Sequence, residues 1–220
     1  MSFVCKDGSG RMSTGLDCVI LADGDFPTHD VPLELLEAAE HVVCCDGAAK
    51  SLLALRRVPD AIVGDGDSMP EDIKGLYADI IHVVDEQEDN DLTKATRYAV
   101  GRGWRRIAYV GATGKREDHT LGNISLLMRY RRDLGVEGIM LTDYGFFTPC
   151  RGTHTFSSFP RQQISIFNFT ATDLSSEGLR WASYAYQEWW QGTLNEAISD
   201  SFTLVADGDY IVFQTYEGKN

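Results

Sequence analysis

Arg106-Ile107-Ala108-Tyr109-Val110-Gly111-Ala112-Thr113-Gly114-Lys115-Arg116-Glu117-Asp118-His119 begins as an apolar strand, turns on glycines and a basic pair, and leads into a helical pattern. Through 118–134, Leu121, Ile124, Leu127 and Met128 fall on one side of a helix, and Gly138-Ile139-Met140-Leu141-Thr142 is a strand again. The same alternation runs back toward the N-terminus. Short apolar runs at 17–22, 41–45, 61–63 and 80–84 read as strands, and 31–40, 47–57 and 91–102 read as helices. Leu52, Leu53 and Leu55 supply bulk in the second helix, and Leu92, Ala95 and Ala99 line one face of the third. Strands alternating with helices predict a parallel sheet covered on both faces.

The pattern changes near Phe147. Gln163-Ile164-Ser165-Ile166-Phe167-Asn168-Phe169 alternates with period two. Residues 201–205 and 210–213 flank Ala206-Asp207-Gly208-Asp209, which reads as a hairpin turn. The expected fold is therefore α/β followed by all-β: an N-terminal, Rossmann-like, three-layer domain over 1–148 and a smaller C-terminal β-sandwich over 149–220.

The chain has 220 residues and a formal net charge of −13, which repels a nucleic-acid backbone and predicts no nucleic-acid partner. No apolar run is long enough to span a membrane, and the first 20 residues lack the pattern of a secretory signal. Residues 1–15 are polar and glycine-rich and are expected to fray. Cys5, Cys18, Cys44, Cys45 and Cys150 contain no CxxC pair, so they read as buried thiols of a reducing cytoplasm.

Four stretches place chemistry at strand ends, where ligands bind in open α/β sheets. Asp46 follows one strand. Gly64-Asp65-Gly66-Asp67-Ser68 follows the next, with two carboxylates at i and i+2 and glycines that turn without steric cost. Asp91 and Lys94 lie one turn apart at a helix start, as a functional pair or a surface ion pair. Gly111 to His119 is a glycine turn with Lys115 and Arg116, suited to phosphate. It is not a Walker A sequence. Carboxylates at Asp65, Asp67 and Asp91 suit Mg²⁺, which reverses the field that phosphates feel. Asp23-Gly24-Asp25 after the first strand is either a nucleotide contact or a plain turn. Trp181, Trp189 and Trp190 are either stacking residues or filler.

In this order, Asp46-Gly47-Ala48-Ala49, Gly64-Asp65-Gly66-Asp67-Ser68, Asp91-Leu92-Thr93-Lys94-Ala95 and Gly111-Ala112-Thr113-Gly114 with Arg116, Asp118 and His119 resemble the motif set of the thiamine pyrophosphokinase family. Gly178-Leu179-Arg180-Trp181 and Asn195-Glu196 resemble its C-terminal thiamine-binding segment. The resemblance implies transfer of a pyrophosphoryl group from ATP to the hydroxyl of thiamine, and a homodimer with sites at the subunit interface. It implies an acidic, Mg²⁺-linked catalytic group of Asp46, Asp65, Asp67 and Asp91. Asp23, Gly24, Lys94, Gly111, Thr113, Gly114, Arg116, Asp118 and His119 would bind the nucleotide, and Trp181 and Asn195 would line the thiamine side. Many relatives have Thr where this chain has Asn90, glycine at Lys115 and serine at Leu194, while Asp89 adds a charge. Either Asp67 or Asp91 would accept the hydroxyl proton. The rivals are transfer to another alcohol such as a pterin, a metal-dependent phosphohydrolase, and a nucleotide sensor without catalysis.

Overall fold

The computed structural model describes residues 15–67 and 69–219 in full, together with the backbone of 5–6 and 12–13. Most of the 1–15 stretch and Ser68 lie outside the described residues. The chain divides into two compact units at Asp143–Tyr144.

The first unit runs β1 (Cys5–Lys6), β2 (Met12–Ser13), β3 (Cys18–Leu21), α1 (Asp30–Ala38), β4 (Val42–Cys45), α2 (Ala48–Ala54), β5 (Ala61–Gly64), α3 (Glu71–Leu76), β6 (Ile81–Val83), α4 (Asp91–Gly101), β7 (Arg106–Val110), α5 (Glu117–Leu134) and β8 (Glu137–Leu141). β1 and β2 pair with each other. The other six strands lie side by side in the order β8-β7-β3-β4-β5-β6, every neighbouring pair parallel. All residues of β3, β4 and β5 are buried, the condition of a strand covered on both faces, and this is why they read as unbroken apolar runs.

The chain steps outward from β3 through β4 and β5 to β6, then crosses back to β7 on the other side of β3. Strand order thus reverses between β3 and β7, and a ligand crevice is expected outside their C-terminal ends. Helix ends are fixed locally. Asn90 caps α4 by accepting from the Thr93 N–H at 3.0 Å. Gly135, at φ +65°, closes α5, whose first turn carries Glu117 and Asp118 and whose last turn carries Arg131 and Arg132, both favourable to the helix dipole. Two apolar positions are not core as the pattern predicts: Leu55 and Leu121 are exposed, and Leu52, Leu127, Met128 and Tyr130 fill the interior instead. α3 is absent from the sequence expectation, since it is only six residues long and buries Ile73 alone.

The second unit contains β9 (Gly145–Arg151), β10 (His154–Ser157), β11 (Gln162–Asn168), β12 (Leu174–Glu177), β13 (Asn195–Glu196), β14 (Ser201–Ala206) and β15 (Asp209–Gly218). The residues 148–152, where the sequence places its domain boundary, fall in β9 and the turn after it. One antiparallel sheet has the order β13-β11-β15-β9 and the other β10-β14-β12. Phe156, Ile164, Ile166, Leu174, Phe202, Leu204, Tyr210 and Val212 meet in the core between them. The 206–209 turn is not a hairpin. It carries the chain from β14 in one sheet to β15 in the other, and the 170–173 loop holds it there. Asp207 accepts from the Thr172 N–H at 2.8 Å, the Thr172 hydroxyl at 2.5 Å and the Asp173 N–H at 3.0 Å. A Cβ on Gly208 would lie 2.5 Å from the Ala171 nitrogen, so glycine is required for this approach.

Candidate active site

The turns that follow β3 and β7 are stitched together through their backbones. Gly24 N–H donates to the Gly111 carbonyl at 2.7 Å and Asp25 N–H to the Thr113 carbonyl at 2.8 Å. A Cβ on Gly24 would lie 2.3 Å from the Thr113 oxygen, so no other residue lets the two turns meet. Gly114 has φ +84° and Lys115 φ +56°, both left-handed, a conformation that glycine adopts freely and that strains a residue such as Lys115. Lys115 Nζ donates to the Asp23 carbonyl at 2.9 Å and to its carboxylate at 3.0 Å. Thr120 accepts from Gly114 N–H at 3.0 Å. Arg116 grips Asp118 with Nε and Nη2 at 3.1 and 2.5 Å, which lowers the Asp118 pKa and leaves the other guanidinium N–H groups for a ligand.

Carboxylates gather on the other side of this crevice. Asp46, at the end of β4, is buried, and a Cβ on Gly64 at the end of β5 would lie 2.7 Å from the Cβ of Asp46. A Cβ on Gly47 would lie 2.8 Å from the Asp23 carboxylate. Asp65 accepts from the Asp67 N–H at 3.1 Å, a local turn bond. Asp91 pairs with Lys94 Nζ at 3.3 Å, and Lys94 is only 5% exposed, so this is not a solvated surface pair. Partial burial pushes the Asp91 pKa up, Lys94 pulls it back, and the nearby charge of Asp65 raises it further. The extra charge of Asp89 is absorbed by Arg97 at 2.5 Å and Arg129 at 2.6 Å, and the bond from Arg129 does most to lower its pKa.

A cleft of ≈ 560 Å³ opens here. Of the candidate residues, Asp23, Gly24, Asp65, Asp91, Lys94, Gly114, Arg116 and His119 line it. Asp46, Asp67, Gly111, Thr113 and Asp118 do not. Asp46 lies buried behind the strand ends, Gly111 and Thr113 hold the turn by their backbones, Asp118 grips Arg116, and Asp67 is exposed. Asn90, which precedes Asp91 at the start of α4, and Asn123 also line the cleft, and Asn123 belongs to no motif that the sequence singles out. Asn123 lies a full turn beyond the glycine stretch in α5, where spacing alone carries no chemical signal. Among the described residues, no three His, Cys, Asp or Glu side chains come together as a ready metal cage. Mg²⁺ requires only one or two carboxylates, with phosphate and water oxygens completing its shell, so Asp65 and Asp91 are a fitting donor set.

The β unit has its own pocket of ≈ 290 Å³, lined by Trp181, Tyr184, Gly192, Leu194 and Asn195 among others. Asn195 is buried and works on the backbone: it accepts from Trp181 N–H at 3.2 Å and donates to the Trp181 carbonyl at 2.8 Å. Trp181 itself is 51% exposed, with the Arg180 guanidinium 5.3 Å from its ring centre. Leu194, at φ +63°, stands exposed on the pocket. Trp189 packs against Phe167 and Phe169, and Trp190 is exposed with its N–H on Glu188 at 2.6 Å.

Two family models match. One described as thiamin pyrophosphokinase, catalytic domain, covers residues 33–137, and one described as thiamin pyrophosphokinase, substrate-binding domain, covers 145–213. Thiamine pyrophosphokinase 1 of Oryza sativa subsp. japonica is 31% identical over 121 residues, covering 44% of this chain and 46% of the relative. The protein of the same description from Caenorhabditis elegans is 30% identical over 105 residues, covering 44% and 43%. The chain thus spans about half the length of the curated relatives it matches. The solved thiamine pyrophosphokinase from Bacillus subtilis has a TM-score of 0.74 at 21% identity, covering 90% of this chain and 98% of that one. Thiamin pyrophosphokinase from Candida albicans gives 0.75 at 19% identity, covering 91% and 90%. At such identities these two likenesses speak for the fold.

Proposed function

Because the chain belongs to the thiamin pyrophosphokinase family, we propose that it transfers the pyrophosphoryl group of ATP to the hydroxyl of thiamine. The observation that carries this reading is one cleft at the point where strand order reverses, holding Asp65, Asp91 and Lys94 on one side and Gly114 and Arg116 on the other. The glycine turn and Arg116 would hold the phosphates, with Asp118 fixing the guanidinium so that its free N–H groups point outward. Lys94, buried beside Asp91, adds a fixed positive charge. Asp65 and Asp91 would hold Mg²⁺, which when bound neutralises charge on the phosphate chain.

The thiamine hydroxyl oxygen bonds to the β-phosphorus, the bond from that phosphorus to the bridging α–β oxygen breaks, and AMP leaves with the electron pair. The hydroxyl proton passes to a carboxylate, Asp67 or Asp91; Asp91 lines the cleft, and in the base role it leaves the cation to Asp65. Trp181, exposed at the pocket of the β unit, offers a face for thiamine's pyrimidine or its cationic ring. The assembly in this reading is a homodimer with active sites at the subunit interface. Its compartment in this reading is the cytoplasm, in keeping with the buried thiols of Cys18, Cys44 and Cys45. Among the described residues, no helix is long and apolar enough to cross a membrane.

The test is release of AMP from ATP with Mg²⁺, with and without thiamine. AMP that appears only with thiamine supports the reading. Thiamine-independent release makes the protein a hydrolase, and equal turnover with a pterin alcohol moves the acceptor.

A further inference from the structure

Asn90 and Asn123 take no part in the chemistry above, yet they join the two halves of the cleft. Asn90 Oδ1 accepts from the Thr93 N–H at 3.0 Å and from the Thr93 hydroxyl at 2.9 Å. That hydroxyl is anchored in turn to the buried Tyr130 hydroxyl at 2.8 Å. With its oxygen committed to α4, the amide nitrogen of Asn90 faces α5 and donates to Asn123 Oδ1 at 2.9 Å. Asn123 Nδ2 then donates to the Ala112 carbonyl at 2.8 Å. A carbonyl only accepts and a cap only accepts, so a single orientation of both amides satisfies every bond from end to end.

The relay's ends are the working parts. Ala112 lies inside the glycine turn, whose opposite side is stitched to the turn after β3 through Gly24 and Asp25. Asn90 immediately precedes Asp91, and Lys94 is one turn further on. The geometry points to Asn90 as a positioning residue that, through Asn123, sets the distance between the phosphate turn and the Asp91–Lys94 pair. Threonine at position 90 accepts the same cap bond. It has no amide arm to reach Asn123, so the link is supplied by the asparagine of this chain.

The inference rests on the functional reading of the cleft for its kinetic readout only. Asn90→Thr keeps the helix cap and removes the link, so the fold is retained. The expected result is a rise of about two- to tenfold in the KM for ATP, the scale of one neutral hydrogen bond, with the KM for thiamine unchanged. Asn123→Ala should give the same change, and the double variant should be no worse than either single one, since both cut one relay. Hydrogen exchange of the 110–116 backbone should quicken in both single variants, whether or not the chain turns over thiamine. Wild-type ATP kinetics and wild-type exchange in Asn90→Thr, or multiplied effects in the double variant, would overturn the inference. If the unaltered chain releases no AMP with thiamine, the functional reading fails, and the exchange comparison alone decides whether Asn90 and Asn123 hold the turn.

Discussion

Lys94 shows what a residue's type and spacing leave open. The sequence places it one helical turn after Asp91, a spacing equally suited to a solvated ion pair. Only the fold makes it a buried cation beside a half-buried carboxylate. Asp65 and Asp91 therefore differ in what they do for the protein. Asp65 stands partly exposed past the end of β5 and accepts a bond from its own turn, so Asn in its place should cut AMP release at least about 10²-fold, the scale of losing an electrostatic stabiliser. Its thermal unfolding should hardly change. Asp91→Asn should lose activity and also stability, by about 1–3 kcal/mol, because the Lys94 ammonium is left buried without its charged partner. Activity and melting temperature measured on both variants check this, and equal stability losses would contradict the assigned difference. The sequence marks Asn90 as a departure but not its link to Asn123, for a related reason: an amide gains meaning only from the atoms on its two ends.

At the scale of elements, hydrophobic pattern located the buried strands of the first unit well, because strands covered on both faces leave no alternative composition. It misplaced Leu55 and Leu121, since helical spacing says which residues share a face and not how much of that face a neighbour covers. The 206–209 turn was misread for a similar reason: turn chemistry specifies the bend, and pairing of the flanking strands depends on the rest of the sandwich. Its anchor is testable. Bonds from Thr172 and Asp173 lower the Asp207 pKa from 3.8 to about 2. A carboxylate with a depressed folded pKa contributes stability that is complete above its unfolded pKa and is lost as pH falls through the folded one. The melting-temperature gap between wild type and Asp207→Ala should thus be constant near neutral pH and close as pH falls from about 4 to about 2. A gap that persists at the acid end would mean that the turn is held by something other than that carboxylate. In the glycine turn after β7, Arg116→Ala should raise the KM for ATP more than that for thiamine, since the proposed function gives this cleft-lining guanidinium the phosphate. Steady-state kinetics in both substrates read this directly.

For the whole molecule, the two family models fall on different units, one carrying the cleft and the other the Trp181 pocket. The division of the chain into two units was legible from the change of period near Phe147. The assembly was not, because nothing in a single chain's pattern names its partner surface. In the proposed function, the net charge of −13 suits attraction of a cationic acceptor, while the phosphates of ATP would rely on the local positive groups of the cleft. Trp181→Ala should raise the KM for thiamine and leave ATP binding by the first unit unchanged, because the ring belongs to the other pocket. If each site is shared between subunits, an Asp65→Asn chain mixed with a Trp181→Ala chain should regain activity. In the mixed dimer one site carries both defects and the other carries neither, so recovery should approach half the sites of a normal dimer. Activity is measured on a heterodimer isolated with two different affinity tags. Without recovery in that species, each chain builds its own site, and the interface reading gives way to two self-contained subunits.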